Sequence, residues 1–165
     1  MKLDEAKAKF IQAWGTFGSN WGINRTMAQV HALLLVAEDP LCADDIMDML
    51  QISRGNANMN IRALIDWGLV YKELKPGERR EYFVAEKDMW SVVRQIIIHR
   101  KKKELEPALK ILEEVQNVEG EGEGKENFVK MIQDIELFSR KADTLLDKLI
   151  EADAAWLMGT FLKMI

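Results

Sequence analysis

Cysteine occurs once in the chain, histidine twice and proline three times. Each scarcity closes off a class of protein. A single Cys42 cannot form an internal disulfide, which excludes a disulfide-stapled scaffold and makes a reducing cytoplasm the expected setting. In that compartment the glycosylation triplet Asn24-Arg25-Thr26 carries no meaning. His31 and His99 stand too far apart to make a metal signature. No apolar run approaches the roughly 20 residues that span a bilayer, so no membrane partner is expected. The opening MKLDEAKAKF places acids where a secretory segment would be apolar. No nucleophile–base pair, ligand cluster or cofactor loop stands out, so neither an enzyme nor a cofactor is expected. The string GEGEGKE at 120–126 looks superficially like a phosphate loop, but Glu126 stands where Ser or Thr must be and no strand precedes it. Cys42, next to Leu41 at a helix start, reads as a small buried hydrophobe, with a redox-active thiol as the alternative.

What is present is a charge asymmetry that the net value of −4 conceals. Residues 1–52 carry 4 basic and 7 acidic side chains, residues 53–103 carry 12 and 6, and residues 104–165 carry 7 and 14. A basic middle between acidic ends points to an anionic partner met by one region only. Hydrophobic residues make up 48% and charged residues 30%, a globular composition.

With three prolines and ten glycines, most of the chain is expected to be helix. A first helix covers about 3–17, with Phe10, Trp14 and Phe17 at helical spacing, and GSNWGIN breaks it. Asn24 caps a second helix whose body is AQVHALLLVA, with His31 in or near the core. Asp39-Pro40 stops that helix. A short third helix, ADDIMDML, puts Ile46 and Leu50 on one face. Ser53 caps a fourth, which Gly68 ends. The period then changes. LVYKEL and RREYFV are short β-compatible runs around Lys75-Pro76-Gly77-Glu78, a hairpin with a basic tip. Helix returns from Asp88 to about Val118, kinked or restarted at Pro107. The acidic connection EGEGEGKEN (119–127) leads to a last helix over about 127–163, with Phe128, Ile135, Phe138, Leu145 and Trp156 in register. The fold class expected is mainly α with a small β-hairpin: a winged helix-turn-helix domain plus long C-terminal dimerisation helices.

The fourth helix begins oddly. In SRGNANMNIRALIDWGLV (53–70), Gly55, Asn56, Asn58 and Asn60 crowd the opening turns, although glycine costs roughly 1 kcal/mol in a helix interior and asparagine about 0.6. At 100° per residue, Ala57, Ile61, Leu64 and Gly68 fall on the inward face. Gly55, Met59 and Arg62 fall opposite, flanked by Asn56 and Asn58, with Arg54 at the edge of the first turn. In helix-turn-helix readers this end enters the major groove. Asparagine matches adenine's donor–acceptor pair and arginine matches guanine's acceptors. Serine and free N–H groups at a helix start hold phosphates. The weak start is explained if Ser53, Arg54, Gly55, Asn56, Asn58, Met59 and Arg62 face double-stranded DNA. Lys72, Lys75, Arg79 and Arg80 place positive charge on the wing, where a DNA backbone or minor groove would lie. The competing readings are a solvated surface helix and a hairpin tip charged against edge pairing.

The series ISRGNANMNIRALIDWGLV, followed by KPGERREYF and a Trp-containing helix, resembles MarR-like winged-helix transcriptional regulators, and among them the GbsR-type branch. The match is most specific over about residues 43–90. The resemblance implies a homodimer built by the terminal helices on a pseudo-palindromic operator. It carries over to Ser53, Arg54, Gly55, Asn56 and Met59 in the reading helix, and to Gly77, Glu78, Arg79, Arg80 and Tyr82 in the wing. Ala57 and Asn58 depart from the pattern, which has a larger apolar residue and a serine there.

The expected division is a DNA-binding domain over residues 1–90 and a helical dimerisation region over 91–165, helix 3–17 joining the latter. Long apolar stripes in an all-helical tail cannot be buried alone, so self-association is expected. Five tryptophans are many for this length. Trp67 is expected to pack beneath the wing. Trp14, Trp21 and Trp90 are candidates for a small-molecule effector pocket, since some GbsR-type regulators are associated with choline or glycine betaine and aromatic cages suit quaternary ammonium groups. Ordinary core packing is the plainer reading of the same residues. The function expected is a sequence-specific DNA-binding regulator, a repressor. The alternative is a winged-helix module that docks protein, which would offer an apolar wing rather than Lys75, Arg79 and Arg80.

Overall fold

Residues 1–152 are described by a computed structural model. Helix α1 runs over Leu3–Asn20, opened by the Lys2 backbone N–H donating to the Glu5 carboxylate at 3.0 Å. It passes straight through Gly18, three residues beyond its expected end. The reason is packing against α2: a Cβ on Gly18 would lie 2.6 Å from the Ala28 Cβ. The glycine admits a neighbouring helix there, and the stop falls at Gly22, whose φ is 75°.

Helix α2, Arg25–Val36, starts where the Asn24 side chain accepts from the Met27 N–H at 3.1 Å. It is the central element, with Met27, Ala28, Val30, His31, Ala32, Leu33 and Leu34 all buried. Ala37 leaves helical geometry ahead of Asp39-Pro40. A two-residue strand β1, Leu41–Cys42, follows and was not expected from the sequence. It is too short to show a period, and its pairing is non-local. Helix α3, Ala43–Leu50, has Cys42 at its cap, the Cys42 N–H donating to Asp45 at 2.8 Å. Gln51 turns the chain with φ 53°, and α4 runs over Arg54–Asp66.

Ser53 caps α4, its hydroxyl accepting from the Asn56 N–H at 3.3 Å. Gly68, at φ 71°, ends it. Strands β2, Val70–Leu74, and β3, Glu81–Ala85, then pair antiparallel, Val70 opposite Ala85 and Leu74 opposite Glu81. The turn between them has Pro76 and then Gly77 at φ 83°, with the Glu78 N–H donating to the Lys75 carbonyl at 3.1 Å. β1 joins the other edge of β3, Leu41 opposite Phe83, giving a three-stranded sheet in the order β1-β3-β2. The expected hairpin is therefore two-thirds of a sheet whose third strand anchors the start of α3.

The chain divides into two compact units, Met1–Val92 and Val93 onward. The first encloses a core of Val30, Leu34, Ile46, Ala57, Ile61, Leu64, Val70 and Phe83. Helix α1 belongs to this unit and packs against α2.

The second unit takes in the rest of α5, Met89–Arg100, whose start lies in the first. A widened π-helical turn, Lys101–Leu105, follows, then α6, Glu106–Val115. Pro107 lies in the first turn of α6, and the widened turn immediately precedes it. Proline donates no backbone hydrogen bond and crowds the carbonyl four residues back, so the ladder loosens there. Helix α7, Glu123–Glu151, begins four residues earlier than expected, after a loop with Gly120 and Gly122 at positive φ. Glu123 and Glu126 favour that start by facing the positive end of the helix. Lys101 pairs with Asp143 at 3.1 Å and with Asp147, and Arg140 pairs with Glu136 at 2.7 Å and with Glu113. The expected continuation of the last helix to 163, with Trp156, lies outside the described residues.

Candidate nucleic-acid interface

The helix-turn-helix formed by α3 and α4 sets out the expected reading residues on two faces. Ala57, Ile61 and Leu64 are buried, so α4 is locked into the core along one stripe. On the other side Ser53, Arg54, Gly55, Asn58, Met59 and Arg62 are all exposed, Met59 by 59%. A Cβ placed on Gly55 would meet nothing within 4 Å, so no internal packing calls for glycine there. What the glycine leaves open is the solvent side of the helix start.

Two of the expected reading side chains, Arg54 and Asn56, are held rather than free. The Arg54 guanidinium donates to the Asp44 carboxylate on α3 at 2.9 Å. As an exposed ion pair it adds at most about 1 kcal/mol, but it orients the arginine. Asn56 is half-buried, and Asn60, one turn further on, is only 2% exposed. The Asn60 amide donates to the Asn56 backbone carbonyl at 2.8 Å and to the Asn56 side-chain oxygen at 2.7 Å. Neither Asp44 nor Asn60 was identified from the sequence as part of the site. Asparagines at positions i and i+4 on one helix are the signal that was there to be used.

On the wing, Lys72 is engaged by Glu81 across the strands at 2.7 Å. The Lys75 ammonium lies 4.0 Å from the centre of the Tyr82 ring, and the Tyr82 hydroxyl donates to Glu78. That bond to the Glu78 carboxylate, with some desolvation, raises the Tyr82 pKa above its ordinary value. Arg79 and Arg80 are exposed, and no acid among the described residues pairs with either. Asp45 at the start of α3 has its pKa lowered first by hydrogen bonds from Cys42, and the positive charges of Arg80 and Lys75 add to that effect. The wing's cations are thus felt at the first turn of the helix-turn-helix.

Of the effector candidates, Trp14 and Trp21 stand on α1 in a row of rings. Phe10 to Trp14 is 5.4 Å, Trp14 to Phe17 5.9 Å and Phe17 to Trp21 5.4 Å between centres. Phe17 stands between the two tryptophans, and Trp21 is 60% exposed. Trp90 is half-buried near the start of α5. Trp67, the C-cap of α4, is half-buried. A groove of about 760 Å³ opens elsewhere in the first unit, where Ile11, Leu33, Val36, Leu41, Met49 and Leu50 meet, and none of the three tryptophans lines it. His31 faces Trp14 at 6.4 Å, with its Nε2 buried and unbonded, and burial lowers its pKa to about 4. Cys42 is buried, as a small hydrophobe would be. No group of side chains able to hold a metal occurs among the described residues.

Residues 21–81 match the family model described as MarR family. That span takes in α2, the helix-turn-helix and the wing up to the first residue of β3. No curated protein matches the chain. Among solved structures, a transcriptional regulator is similar at a TM-score of 0.69 and 15% identity, over 88% of this chain and 95% of that one. The likeness is one of fold: a winged helix with a small antiparallel sheet and long C-terminal helices. A mutant of S. aureus MepR bound to oligodeoxyribonucleotide is similar at a TM-score of 0.41 and 18% identity, over 81% of this chain and 92% of that one.

Proposed function

We propose that the chain is a sequence-specific DNA-binding transcriptional regulator of the GbsR-type branch, acting in the cytoplasm as a homodimeric repressor on a pseudo-palindromic operator. The observation that carries the reading is the surface of the MarR-family segment. The opening turns of α4 expose Ser53, Arg54, Gly55, Asn58, Met59 and Arg62, and the wing exposes two arginines that no acid among the described residues pairs with. Base edges are read from a helix start in the groove, and unneutralised arginines supply phosphate contacts. Residues 1–90 read DNA and residues 91–165 dimerise. Exposed Ile111, Met131, Leu137, Phe138 and Leu145 on α6 and α7 support the second assignment, since such side chains ask to be covered. Two protomers would read half-sites about 34 Å apart.

Selection of bound fragments from the source organism's sheared genomic DNA, at near-physiological salt, tests the reading. A few fragments sharing an inverted repeat are expected. Random fragments, or none, would count against it and favour a protein-docking wing. Arg80→Ala should weaken binding to every sequence alike and reduce the salt slope by about one. A small-molecule effector at Trp14, Trp21 and Trp90 is the secondary reading of those side chains, ordinary packing being the plainer one. Titration of choline or glycine betaine that left tryptophan fluorescence and DNA affinity unchanged would remove those two compounds.

A further inference from the structure

Asparagine 56 is the reading-helix residue whose orientation the protein itself dictates. The Asn60 amide group has two N–H bonds, and both are used within one turn of helix. One meets the Asn56 backbone carbonyl at 2.8 Å, and a carbonyl can only accept. That contact settles which end of the Asn60 amide points there: it must be the NH₂. The Asn56 side-chain atom 2.7 Å from the same nitrogen must then be its oxygen. The polarity is relayed from backbone to Asn60 to Asn56 without freedom at any step. Asn60 is 2% exposed, between the buried Ala57, Ile61 and Leu64, so water competes poorly for its protons. With the oxygen held against the helix, the Asn56 NH₂ is the end left for a partner.

We infer that Asn60 is a specificity-positioning residue that makes Asn56 a hydrogen-bond donor toward the base it faces. The inference rests on the DNA-reading proposal above. A bidentate asparagine–adenine pair needs both ends of the amide, donor and acceptor, presented together in the groove. The tether occupies one of the two lone pairs of the Asn56 oxygen and holds that oxygen back against the helix, away from the pose a bidentate pair needs. A donor alone suits a base with adjacent acceptors in the major groove, and guanine offers two, O6 and N7. The position read by Asn56 is therefore one whose major-groove edge presents acceptors, and guanine, with two, is the first choice in each half-site, where the unmodified side-chain rule would have given adenine.

The test is selection from a randomised duplex library by the full chain, by Asn60→Leu and by Asn56→Asp, with thermal melting of each. Leucine keeps the volume of a buried side chain and takes away the donor, so the fold is expected to hold. Asn60→Leu should reduce guanine preference at one position per half-site by roughly tenfold, or shift it to adenine, with the other positions unchanged. Asn56→Asp keeps an oxygen for Asn60 and replaces the outward donor by an acceptor. The same position should then turn to cytosine or adenine, whose amino groups donate. The inference is overturned if Asn60→Leu, still folded, leaves every position as in the parent chain. It is equally overturned if that variant loses affinity uniformly on selected and random DNA, as loss of a phosphate contact would give. A parent chain that enriches no sequence at all overturns the DNA-reading premise instead. In that case the side-chain amide protons of Asn60, followed by ¹⁵N NMR, still report on the tether: slow exchange supports it, and exchange at the rate of an exposed amide refutes it.

Discussion

The two units of this protein treat their apolar residues in opposite ways. In the first, Val30, Ala32, Ile46 and Ala57 reach zero exposure, and helices α2 and α4 each bury a full stripe. In the second, α7 runs for 29 residues without one buried side chain, and Phe138 on it is 75% exposed. All three helices have an apolar stripe in their sequence, so the pattern alone does not distinguish them. What differs is whether other elements of the same chain cover the stripe. In the first unit α1 packs against α2, α2 against α4, and α4 against both α3 and the sheet. The ion pairs of Lys101 and Arg140 link α6 and the preceding turn to α7 but leave Met131, Leu137, Phe138 and Leu145 of α7 open. A self-sufficient core and an open stripe should answer differently to mutation.

The largest contrast is expected from Leu64→Ala. Leu64 is 1% exposed in the first unit's core, and its truncation should cost about 2–5 kcal/mol in urea denaturation. An equal loss from Leu145→Ala, on the open stripe, would erase the distinction for the isolated chain.

Acid should act through the first unit as well. His31 has its pKa lowered by burial from 6.5 to about 4, so the unfolded chain binds its proton first as pH falls. The folded state's advantage is fully present above about pH 6.5 and is lost as pH drops toward 4, up to about 3 kcal/mol at the low end. Denaturation curves at pH 7 and pH 4.5 should differ less for His31→Leu than for the parent chain. An unchanged difference would assign the acid sensitivity to other groups.

Ser53→Ala removes the cap of α4 and should cost about 1 kcal/mol, read as a shift in the urea midpoint at constant slope. Because the same residue faces outward at the start of the helix proposed to read DNA, DNA affinity should fall further than stability does. The smallest effect on folding is expected from Phe138→Ser, which empties no core. Its consequence should lie in assembly: sedimentation should show weaker self-association with the melting of the first unit unchanged. A parent chain that is already monomeric at micromolar concentration would refute the dimer proposal.

Much of the architecture was legible because it is written in short-range chemistry. Asn24 and Ser53 accept from N–H groups three residues on, and the Pro76-Gly77 turn closes on itself within four residues. Such features need no knowledge of the rest of the molecule. The exposed face of α4 was legible too, since the inward positions of Ala57, Ile61 and Leu64 leave the others no choice. What escaped was of longer range or doubled in meaning. Gly18 looks like a breaker and is a packing contact to Ala28. The stretch Gly122–Glu126 looks like linker and is the first turn of α7. Asn60 looks like one more polar residue of a solvated helix and is buried.

The sequence by itself determined the caps that open α2 and α4, which element carries the cations and which face of α4 is apolar, because each depends on neighbours within a turn or two. Only the tertiary structure decided that Leu41–Cys42 becomes a strand, since its hydrogen bonds go to residues some forty positions away. Only the tertiary structure, likewise, decided that Asn60 is shielded from water, because burial is conferred by whatever packs around a residue. The bond to Asn56 is local, four residues back on the same helix, and the shielding is what keeps water from competing for it.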